Sequence, residues 1–124
     1  MADPNACACS AALKLIFACS GAADVGAISD QAARKLTRDG AGKMYCLAGV
    51  GGRVEAILKT TREAQAILAI DGCPLDCVKA TLQQAGLTRI EHFRVTDLGM
   101  EKGKTPVTEP NVAKVVQKGA ALLA

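Results

Sequence analysis

Cys19, Cys46 and Cys73 follow one another at a constant interval of 27 residues, and Cys77 comes four residues after the last of them. Four thiolates form the commonest closed zinc site, tetrahedral with Zn–S near ~2.3 Å. The same donors suit an iron–sulfur cluster, and ligand softness alone does not separate zinc from iron or copper(I). Thiols can also act as low-pKa redox nucleophiles or as sulfur carriers. Buried cysteine often serves only as a small hydrophobe. That explanation suits one cysteine better than a set spaced in register.

The spacing acquires meaning from the elements around it. KLIFAC (Lys14–Cys19) reads as a short buried strand ending at a Ser-Gly turn. A helix is expected over about Ser29–Arg38, with Ser29 or Asp30 as its cap and Gly40 just past its end. KMYCLA (Lys43–Ala48) is a second strand, GVGG a glycine-rich turn, and a helix runs from Arg53 to Lys59 or on to about Gln65. AILAID (Ala66–Asp71) is a third strand, followed by a helix over Pro74–Ala85 with Pro74 in its first turn. EHFRVTDL (Glu91–Leu98) is a fourth strand whose alternation gives it one wet face, and Glu109-Pro110 opens a last helix that buries Val112, Val115, Val116 and Ala120. Strand–helix alternation predicts an α/β fold: one three-layer domain over residues 13–124, a four-stranded, mostly parallel sheet of flavodoxin/Rossmann-like type, with helices on both faces. The expected strand order is 2-1-3-4, with a ligand crevice between the first and third strands.

An interval of 27 residues is one strand–helix period, so the first three cysteines hold equivalent places in successive units. In a parallel sheet those places share one carboxyl edge, with strands ~4.8 Å apart. Cys77, at i+4 from Cys73, can face the same edge. Helix starts after strands one and three would favour anionic sulfur there.

CSGAADVG, CLAGVGG and IDGCPLDC, each at a strand end, resemble the DGC-motif (DGC domain) family of zinc-binding proteins over roughly residues 13–118. The resemblance implies four metal-ligand cysteines, which map onto Cys19, Cys46, Cys73 and Cys77, with Asp71 and Gly72 completing the signature triplet. Asp71 and Ser20, each close to a ligand cysteine, are expected to support the ligands by hydrogen bonding. His92, the one histidine, is expected to be solvated on the polar face of its strand. The loop Met100–Thr105, with Lys102 and Lys104, leaves the same edge and could cover the site as a lid. Residues 1–12 read as a flexible lead whose Cys7 and Cys9 form a CxC pair of auxiliary thiols.

Composition removes several alternatives. Half of the 124 residues are hydrophobic and mean hydropathy is +0.21, so burial is not limiting, yet only 2% are aromatic. A net charge of +3, spread along the chain and without aromatics for base stacking, argues against a nucleic-acid partner. No stretch approaches the ~20 apolar residues that span a bilayer, and an acidic third residue is unlike a signal peptide, so no membrane association and a cytoplasmic location are expected. In that compartment six cysteines point to metal or thiol chemistry before disulfides. A cysteine phosphatase would need an arginine where Val25 stands, and a dinucleotide loop a glycine where Val54 stands. The reading is a zinc-binding protein without catalysis, serving storage, transfer, sensing or docking to a protein or redox partner. The alternatives are a thiol-redox or sulfur-transfer protein and an iron–sulfur protein.

Overall fold

The computed structural model describes residues 13–124. Cys7 and Cys9 lie outside the described residues. The chain runs β1 (Lys14–Ala18), α1 (Asp24–Arg38), β2 (Lys43–Met44), α2 (Leu47–Gly51), α3 (Glu55–Arg62), β3 (Ala66–Asp71), α4 (Cys77–Gln84), β4 (Glu91–Arg94), a 3-10 turn (Val95–Leu98) and α5 (Glu109–Leu123). All four strands are parallel in the order β2-β1-β3-β4, as expected. β1 and β3 pair over their full common length, Lys14 opposite Ala66 through Ala18 opposite Ile70, and both are buried.

Strand alternation sorts the core into two clusters. Ile16, Ala18, Leu68 and Ile70 meet Val25, Ile28, Ala32 and Leu36 of α1 and Val115 and Leu123 of α5. Leu15, Phe17, Ile67 and Ala69 face the other way, onto Val50, Leu58, Val78 and Leu82 of α2, α3 and α4. With few aromatic side chains to fill space, close helix approach closes the core. A methyl at Gly119 of α5 would stand 2.8 Å from Leu36 Cδ1 of α1.

Several boundaries differ from expectation. α1 begins at Asp24, so Ser29 is internal: it is fully buried and donates from Oγ to the Ile70 carbonyl of β3 at 2.9 Å. β2 stops at Met44, and of the glycines read as a turn, Gly49 and Gly51 belong to the short helix α2, which Gly52 ends. Gly49 is required there because a Cβ would come within 2.8 Å of Ile57 in α3. α4 begins at Cys77 and not at Pro74, since Asp76 before it takes a left-handed conformation (φ 55°). β4 ends at Arg94 and turns into the 3-10 segment. No helix among the described residues is long and apolar enough to cross a membrane.

Candidate metal centre

Each of the first three strands delivers a cysteine just beyond its carboxyl end. Cys19 prolongs β1, its N–H donating to the Ile70 carbonyl at 2.9 Å. Alternation with Leu15 and Phe17 turns it toward the α2–α4 face, where it packs half-buried. Its sulfur accepts the Gly21 N–H at 3.4 Å. Cys46 caps α2, is exposed, and accepts the Gly49 N–H at 3.3 Å. Cys73 is half-buried and packs against the opposite, α1–α5 cluster. Cys77 is exposed as the first residue of α4.

The four thiols thus share the carboxyl edge but are seated separately, with Cys19 and Cys73 on opposite faces of the sheet. Among the described residues, the one group of three candidate ligand atoms lying within 4.8 Å of one another is Asp71, Asp76 and His92. Its oxygens are already engaged. Asp71, 1% exposed, accepts the Val78 N–H at 2.7 Å and the Lys79 N–H at 3.1 Å, so it caps α4 from the end of β3. Its Oδ2 also lies 2.9 Å from His92 Nε2. Asp76 forms a two-pronged pair with Arg94 Nε and Nη2, each at 2.7 Å. That pair holds the Asp76 carboxyl below its ordinary value and the guanidinium above its own. Thiolate sulfur is the donor type that suits a soft divalent ion better than these occupied carboxylates.

His92 is therefore not solvated. Its side chain is 13% exposed and sits between Asp71 and Asp76. The register explains it: His92 lies opposite Ala69 and Arg94 opposite Asp71, which puts both on the Asp71 face. A histidine at that position, beside a strand ending in aspartate, was the available signal. Ser20 donates from Oγ to Asp30 at 2.5 Å, and Arg34 Nε bonds the same carboxylate, so this hydroxyl ties the β1–α1 turn to α1.

A profile of the DGC domain matches residues 15–119. The chain belongs to the DGC domain family. It is also 38% identical over 90 residues to the anaerobic and virulence modulator AnvM of Pseudomonas aeruginosa, an alignment covering 73% of this chain and 69% of AnvM. No solved structure matches it.

In this DGC domain the signature triplet divides its labour. Asp71 caps α4. Gly72 gives clearance to α1, since a Cβ there would lie 3.1 Å from Gly26 N and from Val25 C. Cys73 supplies the thiol. The turn after β1 reaches the same point: a Cβ on Gly26 would lie 2.8 Å from the Gly21 carbonyl oxygen. The start of α1 is thus wedged against both cysteine-bearing turns. Beside Gly72, whose carbonyl accepts the Thr96 N–H at 3.3 Å, Thr96 Oγ1 is the one buried side-chain oxygen among the described residues without a hydrogen-bond partner.

The loop after the 3-10 turn is fastened to α1. Asp24 accepts Gly103 N–H at 2.9 Å and Thr105 N–H at 3.0 Å. Thr105 Oγ1 closes the loop on itself through the N–H and carbonyl of Glu101. The Gly103 and Thr105 donors hold the Asp24 carboxyl below its ordinary 3.8. A depressed folded-state pKa means the latch is complete above the ordinary carboxyl range and is lost as pH falls through the lowered value. In an NMR titration, the Gly103 and Thr105 amide shifts should move together with a midpoint below 3.8. A midpoint at or above that value would show that the latch does not form.

Proposed function

We propose that this DGC domain is a metal-binding protein whose ion, zinc on this reading, is held by Cys19, Cys46, Cys73 and Cys77. The observation that carries the reading is positional: one thiol follows each of β1, β2 and β3 at the carboxyl edge, and a fourth opens the next helix. Open α/β sheets bind ligands at that edge. A bound zinc ion would supply a fixed positive charge and a tetrahedral arrangement of sulfur. The chain's own part is to present the thiols. Backbone N–H groups from Gly21 and Gly49 engage two of the sulfurs, and the Asp71 cap fixes the start of the helix that bears a third.

The domain has a two-sided core that does not depend on an ion, which favours a functional role for the metal over a purely structural one. The relative's name, a modulator of anaerobic behaviour and virulence, favours sensing or regulation through a protein partner over catalysis. Such a site needs a reducing compartment, the cytoplasm on this reading. The exposure of Cys46 and Cys77 supports a second reading, in which the same thiols exchange or carry sulfur or electrons.

Protein purified without oxygen should be colourless and hold about one zinc per chain. Cys46→Ser and Cys77→Ser should each lose most of it while the fold persists by circular dichroism. A brown protein absorbing in the visible would favour a cluster. Unchanged metal content in both variants would defeat the four-cysteine centre.

A further inference from the structure

Of the two lysines in the loop over the sheet edge, only one points at a thiol. Lys104 Nζ pairs with Glu101 at 3.4 Å, and both side chains are largely exposed. Lys102 Nζ lies 3.7 Å from Cys73 Sγ. What brings it there is a closed and anchored loop. Gly103 and Thr105, on either side of Lys104, both donate to Asp24 at the start of α1. Thr105 is 8% exposed and bonded back to Glu101, and Met100, 6% exposed, is packed into the α1–α5 cluster. Lys102 therefore projects from a segment fixed at Met100, Gly103 and Thr105. Among the described residues, none of the other three cysteines has a hydrogen-bonded side-chain cation.

We propose that Lys102 is the fixed cation of the cysteine centre, carried by a preformed clasp, residues 100–105, that is latched to Asp24. An ammonium beside Cys73 attracts whatever negative charge arrives at that sulfur. On the reading of Cys73 as a ligand, that charge is the net −2 of a divalent ion in four thiolates, and Lys102 offsets part of it. The clasp is then a retaining device as well as a cover, because leaving the centre means leaving this counter-charge. Lys102 bonds the Cys73 sulfur in this arrangement and acts by positioning charge.

The test uses metal-free protein and two alkylating reagents, anionic iodoacetate and neutral iodoacetamide, with the modification of Cys73 followed by peptide mass spectrometry. The ratio of the two rates cancels the intrinsic reactivity of the thiol and reports the local field. Lys102→Gln should lower the iodoacetate-to-iodoacetamide ratio at Cys73 about threefold at physiological salt, and by less at 1 M salt. Lys102→Arg should preserve it, and Lys104→Gln should leave it unchanged. Asp24→Ala should lower it in the same direction by releasing the latch. An unchanged ratio in Lys102→Gln, or an equal fall in Lys104→Gln, overturns the assignment. A fall in Lys102→Gln without one in Asp24→Ala overturns the clasp. Since no metal is present, the outcome is independent of the metal content of the cysteine variants, so either reading can fail alone. In zinc-loaded protein, Lys102→Gln should release the ion to a chelator about threefold faster, and an unchanged rate would remove the retaining role.

Discussion

Replacing Asp71 by alanine is expected to destabilise the domain by about 3 kcal/mol, because two helix N–H groups lose their partner at once. Val78 N–H is buried and bonds Asp71 Oδ1 at 2.7 Å, and Lys79 N–H bonds Oδ2 at 3.1 Å. Asp76, which stands at the usual capping position, makes no side-chain cap: it is left-handed and its carboxylate is committed to Arg94. For a domain of this size the loss corresponds to a fall in Tm of about 10 °C. Asp71→Asn keeps one acceptor oxygen and should cost about half as much. The damage should be local first: α4 frays at its start, so Cys77 alkylates faster than in the parent while Cys19 does not change. His92→Gln should be coupled to Asp71→Ala by at least ~0.5 kcal/mol, since the imidazole lies 2.9 Å from the same carboxylate. A stability within ~0.5 kcal/mol of the parent would show that β3 does not cap the helix.

That role was only partly legible in the sequence, and the reason is distance along the chain. The parallel sheet, its order and the edge shared by the cysteines follow from a repeated local pattern, short apolar strands one period apart, and those features were readable. The features that turn the edge into a site depend on partners far away in sequence. α1 starts early, at Asp24, and a loop around residue 104 binds that residue's carboxylate. Pro74 does not open α4 because Asp76, whose carboxylate pairs with Arg94, takes a left-handed conformation that delays the helix. His92 is buried against Asp71 by strand register, which alternation along a single strand does not reveal. Gly49 and Gly72 resemble turn residues in the sequence, whereas their purpose is to let another backbone or side chain approach. Asp71 was expected to support the ligand cysteines, whereas its hydrogen bonds serve α4 and His92.

Gly26→Ala sets two effects against each other, and their magnitudes decide the outcome. Alanine inside a helix is favoured over glycine by about 1 kcal/mol, and Gly26 lies within α1 without a positive φ. The new methyl, however, would stand 2.8 Å from the Gly21 carbonyl oxygen and 3.0 Å from its nitrogen. These are backbone atoms of a tight turn that cannot rotate away. Overpacking of that kind costs about 1–3 kcal/mol, so a net loss of up to about 2 kcal/mol is expected, with the turn bearing Cys19 displaced. Gly72→Ala intrudes on the same helix start from the β3 side, at 3.1 Å from Gly26 N and Val25 C. Each substitution pushes α1 outward and so makes room for the other. The double variant should therefore be less destabilised than the sum of the singles, by ~0.5 kcal/mol or more in denaturant titrations. Strict additivity would mean that the two turns do not share one contact on α1. If they do share it, the spacing between the Cys19 and Cys73 turns is set by the thickness of a glycine pair, and widening it by one methyl should also weaken any ion that the two thiols hold in common.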